Sequence, residues 1–104
     1  MNIMKMMKQA QQLQAGLAAT QEKLASQTVT AEAAAGKVKV TATCDGSVTE
    51  IIIDPAVIDP SDAEFLQDLI LKTVNDAINK GRETAAAEMK KLTGGLNLPP
   101  GFGI

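Results

Sequence analysis

The 104-residue sequence contains no histidine, tryptophan or tyrosine, and it has only two phenylalanines and one cysteine. Without histidine the chain has no Ser-His-Asp or Cys-His catalytic arrangement, no imidazole metal ligand and no general acid or base of the usual kind. The lone Cys44 cannot form an internal disulfide, which fits a reducing cytoplasm. No run approaches the about 18 consecutive apolar residues of a membrane-spanning helix. We therefore expect no catalytic residue, no cofactor and no bound metal.

Large apolar side chains are also scarce. The hydrophobic fraction is 45%, but 16 of those residues are alanine. A chain of this length is typical of one domain, here residues 1–104, and self-association would enlarge its thin core.

The first part of the chain has the spacing of a helix that packs along a seam. Side chains that are mostly apolar recur three and four positions apart, at Ile3, Met6, Ala10, Leu13, Leu17, Thr20 and Leu24. The sequence predicts a helical arm over residues 1–27, in which a helix from residue 2 to 26 would be roughly 37 Å long at about 1.5 Å per residue. A globule of this size cannot cover such a helix along its whole length.

Residues 28–54 change to a period of two, which predicts three strands of an antiparallel sheet. Asp45-Gly46, between the second and third strands, is typical of a type I′ hairpin with positive φ at both central positions. The three consecutive isoleucines of the third strand break the alternation, so a partner subunit could cover that strand's second face. We predict a dimer interface that includes Val40, Ile51, Ile52 and Ile53.

A second helical region is predicted over residues 60–93, as one helix or as a pair divided at Gly81. Asp59 can cap it with Pro60 in the first turn, or Ser61 can cap it with Glu64 completing a capping box. Its first half is expected to pack on the sheet through Phe65, Leu66, Leu69, Ile70, Val74 and Ile78. Its second half is expected to pack on another helix, followed by a proline- and glycine-rich tail over residues 94–104, docked or disordered.

Four acidic residues near the start of this region resemble a metal site only loosely. They lie at turn and cap positions without the spacing of a calcium loop, so we expect structural caps. The residues are Asp54, Asp59, Asp62 and Glu64.

Charge is distributed unevenly along the chain. The net charge of −2 combines about +2 in residues 1–31, −6 in residues 32–79 and +2 in residues 80–104. Phosphate contacts from two basic helical arms would be independent of base sequence and weakened by salt. Lysines are also common on solvated helices, so the charge pattern alone leaves nucleic-acid binding open.

Several segments together resemble the YbaB/EbfC family of bacterial nucleoid-associated proteins. They cover nearly the whole chain in the family's order, and comprise residues 4–12 (MKMMKQAQQ), Gly36 with residues 38–41 (VKVT), residues 53–55 (IDP), residues 75–77 (NDA) and residues 98–102 (LPPGF).

The resemblance implies an α+β fold of order α-β-β-β-α in a tweezer-like homodimer. It also implies a cytoplasmic, nucleoid-associated protein without an active site, which binds duplex DNA with little sequence preference and contributes to nucleoid organisation and gene regulation. The side chains expected to contact phosphates are Lys5, Lys8, Lys23, Lys80, Arg82, Lys90 and Lys91.

An alternative function remains open at this point. Methionine-rich surfaces adapt to protein partners, and Met4, Met6 and Met7 lie near the start of the first helix. With the tail from Leu96 to Phe102 they favour a dimeric adaptor in recombination or replication, whose DNA contact is incidental.

Overall fold

The computed structural model describes residues 2–94, so the prediction of a docked or disordered tail lies outside the described residues. The elements are α1 (Ile3–Ser26), β1 (Thr28–Ala33), β2 (Val38–Thr43), β3 (Val48–Ile53), 3₁₀ turns at Pro55–Val57 and Pro60–Asp62, and α2 (Ala63–Gly94). The α-β-β-β-α order is the predicted fold class. α2 is one continuous helix, so the single-helix alternative is correct.

The three strands form an antiparallel sheet in the order β1-β2-β3, and α2 crosses the face formed by β1 and β2. Alternate residues of β2 point into this contact, where Val38, Val40 and Ala42 are completely buried with Thr73 and Ala77 of α2. Val40 therefore belongs to the core of its own chain. Its predicted place at a dimer interface is wrong, because α2 already covers its face of the sheet.

The loop between β2 and β3 differs from the expected type I′ hairpin. Only Gly46 has a positive φ, of 101°, whereas Asp45 does not. The loop is longer than two residues because the Thr43 hydroxyl bonds to the Asp45 carboxylate and accepts from the Ser47 amide at 3.1 Å. Backbone bonds from the Gly46 amide to the Thr43 carbonyl at 3.1 Å and from the Thr43 amide to the Ser47 carbonyl at 2.7 Å close this longer loop together with the side-chain bonds.

The positive φ values of a type I′ turn occur instead between β1 and β2. Ala34, Ala35 and Gly36 have φ values of 54°, 57° and 83°, and the Lys37 amide donates to the Ala34 carbonyl at 3.2 Å. A left-handed conformation costs a residue with a Cβ roughly 1–2 kcal/mol. Because two successive alanines adopt this conformation, the usual asparagine and glycine signals did not predict the turn.

The acidic residues before α2 are caps. The Asp59 carboxylate accepts from the Ser61 amide at 3.0 Å and the Ser61 hydroxyl at 2.6 Å, and these bonds lower the pKa of Asp59. Asp62 accepts from the Phe65 amide at 3.3 Å, and Asp54 from the Ala56 amide at 2.9 Å. Asp59 therefore caps the 3₁₀ turn Pro60–Asp62 and not α2, which begins at Ala63. The predicted capping box at Ser61 is wrong because its hydroxyl turns back to Asp59.

The predicted sheet-facing side of α2 needs one correction. Phe65 is 54% exposed, because at 100° per residue it lies about 80° around the helix from the buried Thr73. Toward its C-terminal end α2 leaves the sheet and packs on α1, where the side chain of Leu92 lies over Gly16. The expected helix-on-helix packing is confirmed.

Gly81 lies where α2 approaches the end of β2. A Cβ there would meet the Thr43 carbonyl oxygen at 3.1 Å and Cys44 Cα at 3.3 Å. Gly81 therefore allows α2 to approach the hairpin backbone closely, and it does not divide the helix. At Gly16 an added Cβ would instead meet the flexible end of Leu92, at 2.7 Å.

These two glycines should respond oppositely to alanine. Both lie in helices, where alanine is favoured by about 1 kcal/mol. We expect Gly16→Ala to leave stability equal or higher by up to about 1 kcal/mol, because the Leu92 side chain can rotate away. Gly81→Ala should lower stability by about 1–2 kcal/mol, since backbone must shift. Urea unfolding tests both, and a more stable Gly81→Ala protein would refute the close contact.

Candidate nucleic-acid interface

The fold brings the two basic ends of the chain together. α1 and the second half of α2 run antiparallel, as shown by Leu92 over Gly16 and by an ion pair of 3.2 Å between Lys23 Nζ and Glu88 Oε2. We call these two segments together the basic arm (residues 3–26 and 80–94). The acidic segment between them supplies most of the sheet and the first half of α2.

Lys5 and Lys8 lie near the beginning of α1, and both are exposed. No salt bridge of either side chain, or of the exposed Arg82, occurs within residues 2–92. Lys5 and Lys8 line a shallow groove on the outer face of α1 together with Asn2, Met4, Met7 and Gln11. These charges are available to a ligand without loss of an internal ion pair.

Glu88 joins two other predicted phosphate-binding lysines. Its carboxylate lies 3.2 Å from Lys23 Nζ and 3.4 Å from Lys91 Nζ, with only 18% of its side chain exposed. The hydrogen bond from Lys23 holds the pKa of Glu88 below its usual range, so the carboxylate stays charged at neutral pH. Glu88 therefore neutralises part of the positive charge of these two lysines.

The side chain of Lys80 forms a hydrogen bond with the sheet. Its ammonium group donates to the Thr30 carbonyl at 2.9 Å and so satisfies an acceptor on the edge strand β1. Lys90 also has an interaction partner. Four of the seven predicted phosphate-binding residues have partners within the chain, namely Lys23, Lys80, Lys90 and Lys91. The other three, Lys5, Lys8 and Arg82, form no salt bridge within residues 2–92.

The arm has dimensions that suit a duplex. With 24 residues, α1 is about 36 Å long, and one turn of B-DNA is about 34–36 Å. Ammonium and guanidinium groups along such a rod can contact phosphates without reading base edges. The glutamate opposite Lys23 was not foreseen from the sequence, because 65 positions separate them.

β3 presents a second exposed surface. It is an edge strand that α2 hardly touches, and Ile51 and Ile52 are 44% and 50% exposed whereas Ile53 is half-buried. Sequence reasoning overlooked the exposed apolar side chains of Val48 and Ile58. The strand has both an open hydrogen-bonding edge and uncovered apolar side chains.

No helix within residues 2–94 is both long and apolar enough to cross a membrane.

A sequence model of the YbaB/EbfC DNA-binding family matches residues 1–96, which include all the described residues and the whole basic arm. The chain belongs to the YbaB/EbfC DNA-binding family. It is 78% identical to a nucleoid-associated protein of Akkermansia muciniphila over 104 residues, covering 100% of both chains. A nucleoid-associated protein of Acetivibrio thermocellus is 48% identical over 97% of this chain and 89% of its own.

The fold also occurs in a solved structure. The crystal structure of the uncharacterized protein HP0035 from Helicobacter pylori superposes with a TM-score of 0.77, covering 88% of this chain and 97% of that one, at 17% identity. This likeness concerns the fold alone. Membership of the YbaB/EbfC family identifies DNA as the ligand class against which the basic arm should be tested.

Proposed function

We propose that this YbaB/EbfC protein binds duplex DNA through phosphate contacts of its basic arm, with little preference for base sequence. The observation that carries the proposal is the antiparallel pairing of α1 with the end of α2, because it places both basic segments on one projecting rod. The family to which the chain belongs and the names of its relatives support DNA as the partner.

The binding unit in this proposal is a homodimer joined through β3. Ile51 and Ile52 supply the uncovered apolar area, and an isologous interface uses the same strand of both copies. Two arms then project from one centre and double the number of positive charges that face a duplex. The dimer acts at the nucleoid by binding, without catalysis, and contributes to chromosome organisation and gene regulation.

Electrophoretic retardation of unrelated duplexes tests the proposal. Retardation at low salt that is similar for all duplexes and fades steeply with rising salt supports it. Failure to retard any duplex at low salt would refute it.

Glu88 offers a sharper prediction within the same proposal. Glu88→Gln removes a carboxylate that competes with phosphate for Lys23 and Lys91, so DNA affinity at low salt should rise about two- to tenfold. Thermal stability should change little, because both ion pairs are largely exposed on their lysine side. Glu83→Gln is the matched control of equal charge on the same helix. If the two variants bind DNA equally, Glu88 has no special role at the phosphate site.

A protein-binding adaptor is the second candidate function. It is favoured by the exposure of Met4, Met6 and Met7, at 82%, 53% and 58%, on the free end of α1. Affinity capture with and without nuclease separates the two candidates. A recombination or replication protein retained after nuclease, and lost when Met4 and Met7 are replaced by serine, would favour the adaptor.

A further inference from the structure

The groove on the outer face of α1 combines apolar side chains with positive charge. Met4, Met7 and Lys8 follow a helical spacing of three and four and therefore share one face. Both methionines are exposed over more than half of their surface. We call residues 2–11 the arm tip, and they contain Lys5 and Lys8 but no acidic residue.

The outer face of α2, near the beginning of that helix, has the opposite charge. Phe65, Asp68 and Leu71 follow one another at intervals of three, and Glu64 precedes Asp68 by four residues, so all four lie on the side of α2 that is turned from the sheet. Phe65 and Leu71 are large apolar side chains that the chain leaves exposed. We call residues 64–71 the acidic face, and they contain two acidic residues and no basic one.

The two surfaces are complementary in both charge and apolar character. None of Lys5, Lys8, Glu64 and Asp68 forms a salt bridge with any residue from 2 to 92. Two uncompensated positive charges flanked by apolar side chains thus match two uncompensated negative charges flanked likewise. Ridges of side chains on such helical surfaces can interdigitate when two helices cross.

The arm tip and the acidic face of one chain cannot meet. Leu92 lies over Gly16 in the antiparallel pair of helices. Asp68 precedes Leu92 by 24 residues, or about 36 Å of helix, whereas Lys8 lies eight residues beyond Gly16, or about 12 Å in the opposite direction. The two charges are therefore roughly 48 Å apart along the molecule, whose longest dimension is 71 Å. A contact between these surfaces requires a second copy.

We propose that the arm tip of one copy docks on the acidic face of another copy, with its methionines against the apolar side chains of that face and its lysines against Glu64 and Asp68. The two surfaces differ, so the contact is heterologous and does not close on itself. Copies already joined through β3 would extend into an open chain, and only this extension rests on the proposed homodimer. Lys5 and Lys8 are also assigned to phosphates, so the contact belongs to the DNA-free protein.

Sedimentation of the full chain without DNA, at low salt and rising protein concentration, tests the contact. The average mass should increase with concentration beyond that of the dimer. It should return to the dimer when salt is added or the protein is diluted to micromolar concentration, because exposed ion pairs are weak and screened by salt. Asp68→Lys should raise the dissociation constant of the contact about tenfold or more, since it places like charges together. Glu22→Lys is the matched control, an equal change in charge on an exposed part of α1 outside both surfaces, and it should associate like the unmodified protein.

A mixture of two variants provides a readout that a folding defect would not give. Lys8→Glu alone should lose the association, as should Asp68→Lys alone. Mixed together they should regain it, because the mixture restores both one natural pair of surfaces and one pair with exchanged charges. Failure of the mixture to associate, or equal losses in Asp68→Lys and Glu22→Lys, would overturn the proposal.

A protein that stays dimeric at low salt and at every concentration would also overturn the proposal and leave the arm tip to DNA or to a different protein. Retardation of duplex DNA by the unmodified protein is measured separately. It distinguishes failure of this contact from failure of DNA binding, because the sedimentation experiment contains no DNA.

Discussion

Replacing Lys5, Lys8 and Arg82 together by alanine should reduce DNA affinity at low salt by at least about 100-fold. Each phosphate contact contributes about −0.9 to the slope of log affinity against log salt, so six lost contacts in a dimer should flatten that slope by about five. None of the three side chains forms a salt bridge within residues 2–92. The variant should therefore keep its thermal stability, and filter binding at several salt concentrations measures the loss.

The chain offers a control with the same change in net charge. Lys37, Lys39 and Lys72 lie outside the basic arm, and the last two pair with Glu32 and Asp76. Their triple alanine variant should bind DNA within about threefold of the unmodified protein, because they contact no phosphate in this account. Equal losses in the two triple variants would show that affinity follows total charge rather than the arm.

Replacing Ile52 by aspartate should convert a dimer of twice 10.9 kDa into a folded monomer. In an isologous interface both copies lose the buried side chain, at about 1.5–3 kcal/mol each, so the dissociation constant should rise about 1,000-fold or more. Within one chain the change is mild, since Ile52 is 50% exposed and lies opposite Lys39. Sedimentation measures the mass and far-ultraviolet circular dichroism checks the fold.

Leu71→Asp is the matched control for this variant. Leu71 is 62% exposed on α2, and at 100° per residue it points about 160° away from the buried Thr73. We expect it to remain dimeric. A dimeric Ile52→Asp protein would exclude the β3 interface, and a monomeric unmodified protein at micromolar concentration would exclude the dimer itself.

Local signals in the sequence predicted the elements because the physics that produces them is local. The three-four spacing of Ile3 to Leu24 led to a helix that the structure places at Ile3–Ser26. The alternation in β2 likewise identified a buried face, which Val38 and Val40 occupy. Asp59 caps its turn as its side-chain chemistry predicts.

Two errors are local, because side-chain hydrogen bonds changed the turn at Asp45-Gly46 and the capping box at Ser61. The others concern features that depend on residues far apart in the chain. The broken alternation at β3 predicted a dimer interface on the sheet, and Val40 was included in it. No local signal indicated that α2 of the same chain covers Val40. The approach of Gly81 to Thr43 and the bond from Lys23 to Glu88 arise only when α2 is laid across the sheet and along α1. The candidate site was therefore predicted as a set of charges, whereas the division between paired and unpaired lysines required the structure.

The most direct test of the central claim is a salt titration of the unmodified protein on several unrelated DNA duplexes. If the basic arms of a dimer contact phosphates, log affinity should fall linearly with log salt at a slope of about −5 or steeper. The duplexes should then agree within about threefold at each salt concentration, because phosphates carry no sequence information. A slope near zero, or one duplex bound about 1,000-fold more tightly than the rest, would contradict the account.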